Sequence, residues 1–191
     1  MTHVSIIGTG NMGQAISRVV TAGGNTVELF DQSDADKPVT GDIVVLAVPY
    51  PAVADVIAKR ADQLDGKVVV DITNPLNFET FDSLTVPADG SAAAEIAAAL
   101  PQSRVVKAFN TTFAATLATG TVGQLPTTVL IAGDDADAKT RLGGVVAAGG
   151  LRAVDAGGLR RARELEALGF LQVTLAVGEK VSWTGGFGVV G

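Results

Sequence analysis

The chain has 191 residues, with 14 Lys or Arg against 20 Asp or Glu and a formal net charge of −6, and at that length folding removes roughly 70% of the unfolded chain's surface, enough for one globular domain. With 47% hydrophobic and 18% charged residues the composition excludes a wholly disordered chain, and its 23 glycines follow no collagen period. The negative charge offers no general attraction to nucleic acid or anionic lipid, the absence of cysteine excludes disulfide scaffolds and thiolate chemistry, and the longest apolar run, Ile43 to Ala54, is broken by Pro49 and Pro51 short of a membrane span. A soluble protein without nucleic-acid or membrane partners is expected. Met1 to Gly10 has no basic leader and runs into a glycine-rich turn, so it reads as mature fold, with the cytoplasm as the default compartment.

In chain order, short β-branched runs alternate with longer alanine-rich stretches. His3 to Ile7 reads as the first strand, followed by a helix that keeps Met12, Ala15, Ile16, Val19 and Val20 on one face and ends at Gly23-Gly24. Thr26 to Phe30 and Ile43 to Val48 are the second and third strands. Pro51, which has no N–H to leave unpaired, opens the second helix. After the fourth strand, Lys67 to Ile72, Ser91 caps a third helix with Glu95 in its first turns. Arg104 to Ala108 is the fifth strand. Helices over Thr112 to Ala118 and Ala136 to Ala148, strands over Thr127 to Ala132 and Leu151 to Asp155, and a long helix over Leu159 to Val177 complete the pattern. Most strands are continuously apolar, as strands covered on both faces must be. The expected fold class is α/β, a Rossmann-type doubly wound parallel sheet with right-handed crossovers. Residues 1–158 form the dinucleotide-binding domain, and residues 159–191 a C-terminal helix and apolar tail of the same compact unit.

The strongest chemical signal is Gly8-Thr9-Gly10-Asn11-Met12-Gly13, a G-x-G-x-x-G between the first strand and the first helix. Gly8 permits the tight turn, Gly10 lets backbone approach a pyrophosphate, and Gly13 allows close packing of a helix whose N-terminus faces the anion. Asp31 ends the second strand, placed to accept hydrogen bonds from the adenosine ribose, with Ser33 beside it. A carboxylate there suits the free hydroxyls of NAD and repels a 2′-phosphate, although Gln32, Ser33 and Lys37 are equally placed to grip one. Two proline-stiffened loops follow strand ends, Val48-Pro49-Tyr50-Pro51 and Thr73-Asn74-Pro75-Leu76-Asn77. They fit either a nicotinamide-holding edge or prolines that merely end strands. Asn110 and Thr111 follow the fifth strand and would face the same cleft, while Thr111 or Thr112 equally suits a helix N-cap. The expected cofactor residues are therefore the six of the glycine loop, Asp31, Ser33, Val48, Pro49, Tyr50, Asn74 and Asn110; Asn77, Thr111 and Phe113 are expected at the substrate.

Other chemistries lack their residues. The only histidine, His3, lies in the first strand and reads as a packed or surface group, and the only tyrosine, Tyr50, is followed four residues later by Ala54, which excludes a Tyr-x-x-x-Lys reductase. No metal-ligand spacing is present. A flavin-like acceptor fits, because its ring delocalises arriving charge and takes its proton from water. Arg163 and Glu166 read as an i,i+3 ion pair on a solvated face, or as an anion site at the cleft. Leu165, Leu168, Leu171 and Leu175 form a stripe for the sheet. Trp183, Phe187, Val189 and Val190 then need another surface, either a partner chain or the bare cleft, which predicts a homodimer whose C-terminal portion helps close the acceptor pocket, the alternative being a tail packed on its own subunit.

The glycine loop, Leu46-Ala47-Val48-Pro49, Ser91-Ala92-Ala93-Ala94-Glu95-Ile96, Lys107-Ala108-Phe109-Asn110-Thr111 and Asp155-Ala156-Gly157 followed by Arg163 and Glu166 together resemble the deazaflavin (coenzyme F-420) dependent NADP oxidoreductase family. The same pattern is similar to the reductase domain of the six-transmembrane metalloreductases. It spans Val4 to about Leu175. The resemblance implies a compact dinucleotide-binding domain, often dimeric, that transfers hydride between NADPH and a deazaflavin or flavin. This chain has Asn110 where those reductases tend to have histidine, Phe113 where they have proline, and Asp31-Gln32-Ser33 in place of a Ser/Arg turn. Its Asp31 to Asp42 link is also too short for their usual helix. The expected activity is hydride transfer between NAD(P)H and a deazaflavin, FMN, FAD or other small acceptor, with Asp31 favouring NAD(H) and the resemblance NADP(H). A dinucleotide sensor without turnover is the alternative. Reductases of imines or hydroxy acids need a large helical domain, for which too few residues follow the last strand.

Overall fold

Valine and isoleucine are stiff at χ1 and pack well on a pleated surface, and they make up most of the central strands. The computed structural model describes residues 1–190, so Gly191, the end of the expected tail, lies outside the described residues. In chain order the elements are β1 (His3–Ile7), α1 (Asn11–Ala22), β2 (Thr26–Phe30), β3 (Ile43–Leu46), α2 (Val53–Leu64), β4 (Val68–Asp71), α3 (Ala92–Ala99) and β5 (Arg104–Lys107). There follow α4 (Ala114–Thr119), a hairpin of β6 (Thr121–Val122) and β7 (Leu125–Pro126), then β8 (Thr128–Gly133), α5 (Ala136–Ala148), β9 (Arg152–Gly157) and α6 (Ala162–Val177).

The sheet order is β2-β1-β3-β4-β5-β8-β9. Alternate residues of each strand feed two cores: Ile6, Val45 and Val70 meet Ile16, Val20 and Val146 on one face, and Val44, Leu46 and Val69 meet Val53, Leu64 and Ile96 on the other. That two-sided covering accounts for the continuous apolar runs. No described helix is long and apolar enough to cross a membrane.

Four expectations need correction. The sheet is not wholly parallel, because β8 runs antiparallel to β5 while β9 is parallel to β8. A parallel return needs a crossover that traverses the sheet, and α4 has only six residues, too few to carry the chain back across. The chain instead turns at the same edge through the β6–β7 hairpin, whose two-residue strands left no pattern to read. Pro51 lies in a 3-10 turn, Tyr50–Ala52, ahead of α2, and Leu159–Arg161 forms another ahead of α6. Neither Thr111 nor Thr112 caps α4; Phe113 stands at the cap position, and the Thr112 hydroxyl donates to the Phe109 carbonyl at 2.7 Å.

The fourth concerns α6. Its buried face is Ala162, Leu165, Glu166, Gly169, Gln172 and Ala176, while Leu171 is 49% exposed. Of the four leucines only Leu165 belongs to that buried face, and Glu166 is no surface partner of Arg163, which pairs with Glu164 instead. Asp71 and Lys107, cross-strand partners at the ends of β4 and β5, form a fully buried triad with Glu166: Lys107 Nζ lies 2.8 Å from both carboxylates. It also donates to the Thr73 carbonyl at 2.5 Å. Glu166 in turn accepts the Ala92 and Ala93 N–H groups at 2.9 and 3.3 Å, closing the N-terminus of α3 beside the Ser91 cap. Burial pushes the Glu166 carboxyl upward, opposed by the Lys107 charge and the Ala92 N–H.

Removing one member strands buried charge. Lys107→Ala should lower unfolding stability by roughly 3–5 kcal/mol, read as a fall in the urea midpoint, whereas a loss below about 1 kcal/mol would show that the triad does not hold the sheet end to α6.

Candidate functional site

The glycine loop begins where β1 ends. Gly8 has φ +120°, and a side chain there would overlap the Ala47 carbonyl oxygen; one at Gly13 would overlap the Gly8 carbonyl oxygen. Gly10 differs, with φ −69° and no atom within 4 Å of a built Cβ. Two glycines therefore bring β1, α1 and the end of β3 together, while the third leaves backbone open to a ligand.

Two clefts flank this loop. One, of about 910 Å³, is lined by Gly8 to Gly10, Asp31, Ser33, Val48, Pro49 and the α2 residues Asp55, Lys59 and Arg60. Asp31 Oδ1 accepts both the Ser33 N–H at 2.7 Å and the Ser33 hydroxyl at 2.6 Å, while Asp34 accepts the Asp31 N–H at 2.9 Å. The Ser33 hydroxyl and N–H hold the Asp31 carboxyl below the usual carboxylate range. Arg60 is buried, donates to the Asp34 and Lys37 carbonyls at 2.5 and 2.8 Å, and lies over the Phe30 ring, which Lys37 also approaches. The short link after β2 is thus folded around a guanidinium, which no local pattern announced.

The second cleft, of about 420 Å³, is lined by Asn11, Met12, Asn74, Asn110, Phe113 and Trp183 among others. Phe109 holds φ +63°, a conformation rare for a bulky residue, and so turns the chain directly after β5. Asn110 then reaches back: its Nδ2 donates to Asn74 Oδ1 at 2.9 Å and to the Leu165 carbonyl at 2.8 Å, and Asn74 Nδ2 donates to the Asn110 carbonyl at 2.8 Å. Asn110 Oδ1 is buried without a hydrogen-bond partner. A side chain at Gly169 would overlap Asn74 Oδ1, so α6 can approach this amide pair only as glycine.

The expected residues are only partly brought together. Val48 and Pro49 line the first cleft rather than standing beside Asn74 and Asn110. Three side chains lie away from both clefts. The Tyr50 hydroxyl donates to Glu95 on α3, and burial with that partner pushes its pKa upward. Asn77 accepts the Glu79 and Thr80 N–H groups within its own turn. Thr111 is buried, and its carbonyl accepts from Gln172 Nε2 at 3.2 Å. Bonds within the protein thus hold the Tyr50 hydroxyl and the Asn77 amide oxygen away from the clefts. His3 bonds Thr26 and Thr40 through its ring nitrogens, away from either cleft. No described cluster of three His, Asp or Glu is placed to hold a metal ion. Lys59, Arg60 and Gly169 went unforeseen, since each depends on partners distant in sequence, whereas Trp183 lines the second cleft as a tail that helps close the pocket would.

Residues 26–75 match the family model described as NADP oxidoreductase, coenzyme F420-dependent. The chain is 31% identical over 166 residues to the F420-dependent NADP reductase of Methanocaldococcus jannaschii, which covers 85% of this chain and 74% of that one. To the metalloreductase STEAP3 of Rattus norvegicus it is 29% identical over 180 residues, covering 86% of this chain and 36% of the relative. A crystal structure from Arthrobacter sp. FB24, described as a candidate F420 dependent NADP-reductase, superposes over 100% of both chains with TM-score 0.85 and 22% identity, a likeness of fold.

Two glycines test the site in opposite ways. Gly10→Val should keep the unfolding midpoint of the wild type yet abolish dinucleotide binding in a calorimetric titration, because its side chain enters open cleft. Gly169→Ala should instead destabilise by about 1–3 kcal/mol as Asn74 is displaced, and unchanged stability there would show that α6 tolerates a wider approach.

Proposed function

This chain belongs to the F420-dependent NADP reductase family, and we propose that it transfers hydride between NADP(H) and a planar, flavin-like acceptor. The observation that carries this reading is a glycine loop set between two clefts, one edged by the carboxyl end of β2 and the other by the amides after β4 and β5. Ligands of open α/β sheets sit at that edge. The residues suit the dinucleotide: Gly10 offers uncovered backbone, and Asn110 Oδ1 is a buried acceptor awaiting a donor, as the nicotinamide carboxamide would be. Gly8 to Gly13 would hold the pyrophosphate, Ser33, Lys59 and Arg60 the adenosine end, and Asn74 with Asn110 the nicotinamide.

When bound, NADPH supplies a hydride, and a flavin-like ring that accepts it takes its proton from water. The chain's own part is then to position two rings and exclude solvent. The reciprocal amide bonds of Asn74 and Asn110 fix both groups before any ligand arrives, and Phe109 and Phe113, both buried, keep that side of the cleft apolar. The lean toward NAD drawn from Asp31 has no support in the family. In the structure the carboxylate is drawn onto Ser33, and two cations line the same cleft.

Calorimetry should accordingly find NADP bound more tightly than NAD, and Asp31→Ser should widen that preference by on the order of 1 kcal/mol through loss of a negative charge. Tighter binding of NAD would return Asp31 to its first reading. Anaerobic mixing of NADPH with FMN, FAD and a deazaflavin, followed by nicotinamide absorbance, tests turnover: binding without oxidation would mark a sensor.

A further inference from the structure

Trp183 is the only tryptophan in the chain, and it lies outside both the sheet and the glycine loop. Its ring packs on Phe113 with centroids 4.9 Å apart and planes inclined at 55°. The two rings are buried very differently: Phe113 is 8% exposed and Trp183 52%. A tail that served only to complete the fold would turn its largest apolar group inward. Here the indole lines the second cleft beside Asn74 and Asn110 with half its surface uncovered.

The chain after Trp183 is fixed on the body of the molecule. Gln172, almost wholly buried, donates through Nε2 to the Thr111 carbonyl and accepts the Phe187 N–H through Oε1, both at 3.2 Å. A side chain at Gly186 would press on that same Oε1 at 3.0 Å, and Arg152 donates to the Val189 carbonyl at 3.2 Å. The indole's position over the cleft is therefore set by bonds on both sides of Gln172. The buried, unpartnered Oδ1 of Asn110, assigned above to the nicotinamide, would bring the dinucleotide's reacting ring into this same cleft.

We propose that Trp183 is the stacking surface for the ring of the hydride acceptor, an assignment that rests on the reaction proposed above. Asn74 and Asn110 hold a single ring with an amide substituent at the sheet edge. The indole offers a larger fused face at the solvent side of the same cleft, which matches a fused heteroaromatic ring approaching the nicotinamide from solvent. Offset or tilted ring pairs of this kind contribute beyond their buried area.

Oxidised FMN and 5-deazariboflavin, titrated in a calorimeter into protein saturated with NADP⁺, measure acceptor binding without turnover. Trp183→Ala should weaken acceptor binding about tenfold, Trp183→Phe should restore most of it, and NADP⁺ affinity should stay unchanged in both. Unaltered acceptor affinity in Trp183→Ala, or an equal loss for NADP⁺, would overturn the assignment while leaving the proposed reaction standing. If the wild type binds NADP⁺ but neither flavin, the acceptor class itself is wrong and the role of Trp183 falls with it.

Discussion

Three charged side chains without any solvent contact, Asp71, Lys107 and Glu166, meet at one point between β4, β5, α3 and α6. Removing charge from water is costly, so such a cluster persists only when each member is paired and its remaining donors and acceptors are filled. Lys107 fills its own with two carboxylates and the Thr73 carbonyl, Asp71 accepts the Thr73 N–H, and Glu166 accepts from the first turn of α3. An apolar cluster of equal volume could bury similar surface, but it would tolerate sliding. Directional bonds fix the register of α6 against the ends of two strands, and the site amides Asn74 and Asn110 lie three residues farther along each.

That register matters because contacts above the triad are close. Gly169 on α6 faces Asn74 with no room for a methyl group, and Asn110 Nδ2 reaches the Leu165 carbonyl one turn earlier on the same helix. Phe109 supplies the turn between Lys107 and Asn110 in a left-handed conformation that only its surroundings sustain, with both its ring and the Thr112 side chain buried. Lys107, Phe109 and Asn110 thus act as one rigid corner. A rigid corner suits a reaction in which the protein contributes alignment more than acid or base.

The adenosine side is built on another plan. Its walls come from a link of twelve residues whose helical part is a 3-10 turn at Gln32–Asp34, folded around the buried Arg60 guanidinium and closed by the Asp31, Ser33 and Asp34 bonds. The link carries four aspartates and one lysine, and the sign felt by a ligand depends on which are already engaged within the protein. Asp31 is engaged at one oxygen, whereas Lys59 stands on an exposed face of α2 along the same cleft.

Local information in the sequence determined much of this protein. The period of its apolar residues set most strands and helices within a residue or two, and the glycine loop was marked because Gly8 and Gly13 leave no room for a side chain while Gly10 leaves backbone open to a ligand. Glu166 shows where local reading stopped: three residues from Arg163 on a helix, it looked like a surface pair, yet its partner lies on β5, fifty-nine positions back in the chain. The reversal of β8 followed from the shortness of α4, Tyr50 and Asn77 were bonded to other residues away from both clefts, and Thr111 was buried apart from them. Spacing along one element predicts which face a residue occupies. Which element covers that face, and whether a polar group there is already bonded, is decided only when the chain closes on itself.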